Sequence, residues 1–294
     1  GTTLGADDGI AVAMAMAILD DDTAVHPPIE AVITTDEEVG MLGAASLDTS
    51  IIEGRTLLNI DSEEEGIFTV GCAGGVKTII PVDFVEATGS QFMRIVITGL
   101  EGGHSGIDIN KERANANKIM GRLLDRLVNT ENVEIASLNG GAKDNAIPRY
   151  AETVICCNNC DSVKATVNIF AEEIKTEYAI TDKNIEIKTD LIEISDKVFT
   201  KDSANRVISA IILMPNGIQS NNIELNMPES SNNLGVVKMN KDSVCLTCAV
   251  RSALITKKGF IRSQIETIAK LCGGSTVCRG DYPAWEYKAD SPLR

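Results

Sequence analysis

The sequence has no long apolar run, no excess of basic residues and few cysteines for its length. The longest apolar segment, residues 10–19, is too short to span a bilayer, and no basic region precedes it as in a secretory signal peptide. The 294 residues include 27 basic and 42 acidic side chains, which gives a formal net charge of −15. Because such a chain repels phosphates and anionic lipid headgroups, nucleic-acid and membrane-surface roles are disfavoured.

Eight cysteines in a chain of this size are too few for a disulfide scaffold. Two C-x-x-C spacings, Cys157/Cys160 and Cys245/Cys248, could hold a structural zinc ion or form a redox pair. The second pair lies in a strand-like run, where positions three apart point to opposite faces. Neither pair contains the glycine-bearing turn of a zinc ribbon. We therefore expect reduced thiols in a cytoplasmic protein.

The first seventy residues are predicted to alternate between helices and strands. Residues 10–19 are apolar on every side, which is typical of a helix buried all round, and Asp8 precedes them where a capping carboxylate belongs. Residues 29–35 and 56–60 are predicted to be buried strands, and residues 39–47 a short helix. Strands this apolar, alternating with helices, favour a mostly parallel sheet covered on both faces.

The pattern changes after residue 75, where half-buried strands and amphipathic helices follow one another. This pattern favours an α+β domain with helices on one face of an antiparallel sheet. Residues 216–233, rich in Asn, Ser, Gly and Pro, are predicted to form a long loop. The predicted strands are 94–98, 132–138, 150–157, 234–239 and 244–252, and the predicted helices are 111–128, 163–178, 204–213 and 260–271.

Three acidic clusters lie at the ends of these first elements: Asp7-Asp8-Gly9, Asp36-Glu37-Glu38 and Asp61-Ser62. In open α/β sheets, ligands bind at the carboxyl ends of the strands. Carboxylates that meet in one crevice repel unless a cation lies among them, and divalent ions such as Zn²⁺ accept these oxygens. Each cluster taken alone is more typical of a helix cap or a solvated loop than of a metal site.

The adjacent pair Glu37 and Glu38 indicates a division of roles, because neighbours in extended chain project in different directions. One carboxylate can hold a metal ion while the other reaches toward water bound to that ion. This arrangement predicts metal-assisted hydrolysis with a carboxylate base.

A second candidate is the histidine of Gly102-Gly-His104-Ser-Gly106, which glycines leave accessible. A surface-loop histidine is the alternative interpretation. The other histidine, His26, precedes Pro27-Pro28 and is predicted to be a loop residue.

Together these residues resemble the aminoacyl-histidine dipeptidases (Xaa-His dipeptidase, peptidase D), which are carnosinase-like di-zinc metallopeptidases of clan MH. The resemblance runs nearly from end to end of the chain. The segments that carry it are Thr2-Thr-Leu-Gly-Ala-Asp-Asp-Gly9, Thr35-Asp-Glu-Glu-Val-Gly-Met-Leu-Gly-Ala44, Leu58-Asn-Ile-Asp-Ser-Glu63, Gly71-Cys-Ala-Gly-Gly75, Gly102-Gly-His-Ser-Gly106, Asn145-Ala-Ile-Pro-Arg149, Asn233-Leu-Gly-Val-Val237 and residues 285–292.

The resemblance implies a role for each acidic candidate. Asp7 is expected to bridge two zinc ions, and the peptide bond that follows it is expected to be cis. Glu38 and Asp61 are expected to bind one zinc ion each, and Glu37 to be the general base. Other divalent metals are possible.

The resemblance also implies substrate contacts. His104 is expected to stabilise the oxyanion, an electrostatic role, and in related enzymes it can come from the other subunit. Asn145, Arg251 and Asn233 are expected to bind the backbone and carboxylate of a small dipeptide, a task that suits the fork of an arginine.

The predicted fold class is α/β, with residues 1–74 as a partial catalytic domain. Residues 75–284 are predicted to be an inserted α+β lid and dimerisation domain, and residues 285–294 the start of a return segment. The family's His-x-Asp motif and its last histidine ligand are expected outside this chain, which we therefore expect to be an internal fragment that binds zinc weakly.

The predicted function is hydrolysis of Xaa-His dipeptides by a cytoplasmic homodimer that binds neither nucleic acid nor membranes. Two alternatives stay open. The chain could be a catalytically inert fragment that acts only as a lid and dimerisation module, or the protein could be another clan MH aminopeptidase or deacylase.

Overall fold

The computed structural model describes residues 7–37, 41–61, 73–193, 197–279 and 290. The chain divides into two compact units, a first unit of Gly1–Val70 and a second unit of Gly71–Arg294. Within the described residues, no helix combines the length and the apolar character needed to cross a membrane. The α-helices are α1 (Gly9–Asp20), α2 (Leu42–Ser46), α3 (Ala116–Thr130), α4 (Cys160–Glu177), α5 (Lys201–Leu213) and α6 (Ile255–Leu271).

The described strands all lie in the second unit, and every pairing among them is antiparallel. They are β1 (Ala73–Pro81), β2 (Phe84–Glu86), β3 (Gln91–Thr98), β4 (Gly103–His104), β5 (Glu134–Gly140), β6 (Ala146–Ile147), β7 (Ala151–Cys157), β8 (Glu186–Ile192), β9 (Lys197–Phe199), β10 (Gly217–Asn222), β11 (Met227–Met239), β12 (Ser243–Ser252) and β13 (Ser275–Arg279).

One large sheet organises the second unit, with the strand order β13-β1-β12-β11-β5-β7-β3-β8 and with β10 paired to β11. Two small ladders, β2 with β9 and β4 with β6, stand apart from it. Helices α3 to α6 share a single hydrophobic core with this sheet, so they cover the same face of it. The mixed α/β class and the antiparallel sheet with helices on one face are confirmed.

The spacing of apolar residues predicted the helices of the second unit well. In α4 the apolar residues Val163, Val167, Phe170 and Ile174 are all buried, as their separation by one helical turn requires. The helix predicted at 111–128 instead begins at Ala116. A short 3-10 turn occupies residues 109–111, and its end has a left-handed backbone that a continuous α-helix excludes.

The prediction of a long loop at residues 216–233 is wrong. β10 and the first half of β11 form an antiparallel hairpin there. The hydroxyls of Ser220 and Ser230, which face each other across the hairpin, lie 2.5 Å apart. Polar residues usually indicate a loop, but in this segment they form hydrogen bonds between paired strands. The polar composition of residues 216–233 therefore led to the wrong prediction.

The two strands predicted in the first unit are also corrected, because residues 29–35 and 56–60 take part in no sheet. A strand requires a neighbour to pair with, and the described part of the first unit offers none. Helix α1 forms as predicted, but it has no buried residue, and Met16 is 64% exposed. The predicted helix at 39–47 is observed as α2, while residues 38–40 lie outside the described part.

The cysteines of both C-x-x-C pairs are free thiols. Cys157, Cys160, Cys245 and Cys248 are all buried, and burial raises the pKa of Cys248 to about 12. The Cys248 thiol therefore stays protonated near neutral pH, and a protonated thiol is a poor metal ligand. This agrees with the expectation of reduced, structural cysteines.

Candidate functional site

The first acidic cluster lies at the start of α1. The peptide bond between Asp7 and Asp8 is cis, as the resemblance implies. Asp8 caps the helix, since its carboxylate accepts a hydrogen bond from the backbone N–H of Ala11 at 3.2 Å. Asp7 is exposed and Asp8 is partly buried. The two neighbouring carboxylates therefore have different environments. The carboxylate of Asp8 caps the helix, and Asp7 is exposed at the surface.

Glu37 lies in a tight turn that precedes α2. The backbone N–H of Met41 donates to the carbonyl of Glu37 at 2.9 Å, and that of Gly43 donates to Thr35 at 3.0 Å. A side chain at Gly43 would place its Cβ 2.5 Å from the carbonyl oxygen of Thr35. Only glycine allows this close approach. Glu37 itself is exposed.

The structure describes only part of the predicted metal set. Asp7 and Asp61 are described and exposed, whereas Glu38 lies outside the described residues. Across the described part of the chain, no three Asp, Glu, His or Cys side chains gather closely enough to hold a metal ion. The donors Asp7, Glu38 and Asp61 suit a divalent cation by their chemistry, and their geometry as a set stays a prediction.

His104 lies in the second unit, on the short strand β4 that pairs with β6. Its ring Nδ1 accepts hydrogen bonds from the backbone N–H groups of Gly106 at 3.3 Å and Ile107 at 3.2 Å. A nitrogen that accepts cannot carry a proton, so the proton of the neutral ring is on Nε2. The turn thereby makes His104 a hydrogen-bond donor through Nε2.

Arg251, near the end of β12, lies beside this ring. Its Nη2 is 3.5 Å from Nε2 of His104, and both atoms are donors in this tautomer. Gly106 provides the room for the pair, because a Cβ there would lie 3.1 Å both from Nη1 of Arg251 and from Cε1 of His104. Two donors side by side match an oxygen that carries negative charge.

Asp108 supports the His104 turn. Its carboxylate accepts the backbone N–H of His104 at 2.8 Å and contacts Nζ of Lys111 at 2.6 Å. The hydrogen bond from Lys111, followed by the one from His104, lowers the pKa of Asp108 below its usual range. Asp108 is therefore charged near neutral pH and holds the start of the turn.

Asn145 lies on the loop that enters β6, next to the His104 turn. Its carbonyl accepts the backbone N–H of Ser105 at 2.8 Å, and its own N–H donates to the carboxylate of Asp144 at 2.8 Å. The residue is exposed. The backbone of Asn145 is thus fixed against the histidine turn, while its side chain is at the surface.

Asn233 lies in the sheet interior rather than at the surface. It is only 1% exposed, and its amide nitrogen donates to the carbonyls of Asp144 at 2.9 Å and Ala146 at 2.8 Å. The structure therefore brings His104, Arg251, Asn145 and Asn233 into one cluster, in which Asn233 is the inner member.

Sequence reasoning missed the asparagines that support this cluster. Asn115 caps α3, and its amide also donates to Oδ1 of Asn216 at 2.9 Å and to Oδ1 of Asn233 at 3.3 Å. Asn117 donates to the carbonyl of Leu234 at 3.1 Å. An asparagine ahead of a predicted helix signals a cap, but no local signal shows that it also reaches a distant strand.

Three comparisons relate the chain to known proteins. Residues 90–182 match the M20 peptidase dimerisation domain. The chain is 35% identical over 299 aligned residues to the cytosol non-specific dipeptidase of Escherichia coli (strain K12), covering 100% of this chain and 62% of that protein. It also matches the crystal structure of aminoacylhistidine dipeptidase from Vibrio alginolyticus with a TM-score of 0.85 and 34% identity, covering 100% of this chain and 61% of that one.

Part of the second unit, residues 90–182, is thus similar to the dimerisation domain of M20 peptidases. The chain is a homologue of the cytosol non-specific and aminoacylhistidine dipeptidases, which confirms the resemblance seen in its motifs. It spans about three fifths of the length of these two relatives.

Proposed function

We propose that the protein carrying this chain is a cytoplasmic, metal-dependent dipeptidase that acts on dipeptides of the Xaa-His type. The observation that carries the proposal is the pair of donors formed by His104 and Arg251. It occurs in a chain that aligns over its whole length with two dipeptidases. The cytoplasmic location is proposed from the name of the Escherichia coli relative.

The acidic residues of the first unit are assigned to the hydrolytic step. Asp7, Glu38 and Asp61 would hold two divalent cations, with zinc as the proposed metal. Such an ion, when bound, lowers the pKa of its water to about 7. Glu37 would be the general base that removes the proton from the attacking water, and the exposure of this residue supports the role.

His104 is assigned to the carbonyl oxygen of the scissile bond. Its Nε2–H is set by the two backbone donors to Nδ1 and needs no change of tautomer to donate. As the carbonyl becomes tetrahedral, its oxygen gains negative charge, and a donor already aimed at it stabilises that charge without reorganisation. The hydrogen bond from His104 would therefore stabilise the transition state more than the bound substrate.

Arg251 and Asn145 are assigned to binding the dipeptide. An arginine fork donates two hydrogen bonds to a carboxylate, so Arg251 would hold the free carboxylate of the substrate. The exposed amide of Asn145 can both donate to and accept from a peptide group. A dipeptide presents both groups close together, which fits two binding residues that lie beside the His104 turn.

The matched dimerisation domain supports a homodimer as the working form. The same observation also favours the second candidate, in which this chain by itself serves only as a folded dimerisation module. Substrate range separates the proposed activity from other enzymes of the clan, since an aminopeptidase or deacylase would accept longer peptides or acylated amino acids.

The test is hydrolysis of a substrate panel by the protein that carries this chain, with and without a chelator. We expect cleavage of Xaa-His dipeptides such as carnosine, loss of cleavage on chelation and recovery with zinc. Glu37→Gln should lower kcat by about 10²–10⁴-fold, the range of a general base. The matched control Glu53→Gln, also an exposed residue of the first unit, should leave kcat unchanged.

Failure to cleave any dipeptide, or an active Glu37→Gln variant, contradicts the proposal. A dimer without hydrolytic activity would support the dimerisation module instead.

A further inference from the structure

We infer that Asn233 is a positioning residue, which aligns Asn145 and the His104 turn by bonding the backbone on both sides of Asn145. This inference rests on the proposed function, because it gives the aligned residues a task in substrate binding. It differs from the expected direct contact between Asn233 and substrate, which the burial of its side chain opposes.

The edge of β11 that does not pair with β12 has an interruption in its strand pairing. The first half of β11 pairs with β10, and its last part pairs with β5 at Val237 and Lys238. Between these stretches, side-chain amides bond to the strand backbone. The carbonyl of Leu234 accepts from Nδ2 of Asn115 at 3.2 Å and of Asn117 at 3.1 Å. Buried backbone groups need such partners, so these amides replace a strand at this point.

The loop that carries Asn145 lies against β11 at the same interruption. A Cβ at Gly235 would lie 2.5 Å from the carbonyl oxygen of Asp144, and a Cβ at Gly141 would lie 1.8 Å from the carbonyl oxygen of Gly235. Gly141 also has a positive φ of 67°. Both glycines are required for this backbone-on-backbone contact, which leaves the loop little room to shift.

Asn233 fixes the register of that contact. Its Nδ2 donates both of its hydrogens, one to the carbonyl of Asp144 and one to that of Ala146. Its Oδ1 accepts from Nδ2 of Asn115 at 3.3 Å. An amide has two donor hydrogens and an acceptor oxygen, so both ends are engaged and the side chain has one orientation. The residue between its two carbonyl partners is Asn145.

The constraint reaches His104 through the backbone. Ser105 donates its N–H to the carbonyl of Asn145 at 2.8 Å, and His104 pairs with Ala146 across the β4–β6 ladder. A displacement of residues 144–146 therefore moves the histidine turn as well. A misplacement of about 1 Å can lower a reaction rate by about 10²-fold, so an inner amide can control a site that it does not touch.

The experiment compares variants of Asn233 with variants of its neighbour Asn232. Asn232 is also buried on β11, but its amide donates to the carbonyl of Pro215, away from the Asn145 loop. Asn233→Ala removes the two donors, and Asn233→Asp keeps the shape while it turns an oxygen toward the two carbonyls. Asn232→Ala and Asn232→Asp are the matched controls, made in the protein that carries this chain.

Two readouts are measured on folded protein. Steady-state kinetics with a dipeptide should show KM raised by about tenfold or more in the Asn233 variants, and a smaller change in the controls. Hydrogen exchange should show the Ser105 amide exchanging about tenfold faster or more in the Asn233 variants only. A purely structural loss would reduce the amount of folded enzyme and leave KM unchanged.

Unchanged exchange at Ser105 in the Asn233 variants overturns the inference, and so does an equal effect of the Asn232 controls. If Asn233→Asp does not fold, Asn233→Ala decides, because it introduces no repulsion. If the wild-type protein cleaves no dipeptide, the proposed function fails, and exchange at Ser105 still decides whether Asn233 positions the loop.

Discussion

Helices α1 and α3 show how differently the two units use apolar residues. α1 of the first unit is apolar from Ile10 to Leu19, yet none of its residues is buried. α3 of the second unit carries lysine, arginine and aspartate, yet it buries Ile119, Leu123 and Leu124 completely. The difference is the opposing surface, since α3 packs against strands of the sheet and against α4 and α5. An apolar segment is more stable when it is buried, but it becomes buried only where another element packs against it.

The proposed chemistry divides in the same way. The first unit contributes the acidic side chains, which are exposed where the structure describes them. The second unit contributes His104 and Arg251, whose positions depend on turns, ladders and buried amides. If this division is right, changes in the two units should have separable effects on activity and on stability.

The largest expected effect is on catalysis and tests the role of the second unit. His104→Gln should lower kcat by about 10²–10³-fold, because one oxyanion donor is lost. His26→Gln is the matched control, since His26 is exposed in the first unit and its ring bonds to the neighbouring carbonyl of Pro27. Steady-state kinetics on a dipeptide measures both variants, and equal activity of the two would remove His104 from the reaction.

The next effect tests the contrast in burial directly. Leu123→Ala in α3 removes a side chain with no exposed surface and should lower the free energy of unfolding by about 2–5 kcal/mol. Leu19→Ala in α1, where the side chain is 55% exposed, should change it by less than about 0.5 kcal/mol. Chemical denaturation measures both. A comparable loss in Leu19→Ala would show that α1 is packed against a surface outside the described residues.

The smallest effect tests how closely the second unit holds its donor pair. Gly106→Ala places a methyl group 3.1 Å from His104 and Arg251 and should lower kcat/KM by about three- to tenfold, since such misplacement costs about 1 kcal/mol. Gly259→Ala is the matched control, because α6 has open space at that position. The substitution Gly259→Ala should stabilise the helix by about 0.5–1 kcal/mol and leave kcat/KM unchanged. Equal kcat/KM in both variants would show that the pair tolerates the displacement.

Periodicity predicted most of the second unit, because a helix or strand that faces a core repeats its apolar residues at a fixed spacing. Strand β7 and helix α4 are recognisable in this way. The same reasoning failed at residues 216–233, where the hydroxyls of Ser220 and Ser230 bond to each other and the side chain of Asn216 accepts the backbone N–H of Leu234. These bonds support β10 and β11 without an apolar repeat. It also failed at residues 29–35 and 56–60, where apolar residues are present but no paired strand is described.

The candidate site was predictable to the extent that residue types and short motifs reveal chemistry. His104 was found from its flanking glycines, and Arg251 from the resemblance to a family. The tautomer of His104 was not predictable, because it depends on how two backbone N–H groups meet one ring nitrogen. The position of Asn233 was not predictable either, because its partners lie almost ninety residues away.

The sequence alone determined the acidic character of the chain, the helices of the second unit and the side chains able to do hydrolytic chemistry, since these follow from composition and local spacing. Only the tertiary structure decided which apolar segments are covered, which nitrogen of His104 donates, and that an asparagine of the strand interior holds the loop of Asn145. Burial and hydrogen-bond direction both depend on a partner residue. Folding brings that partner close, because the two residues are not neighbours in the sequence.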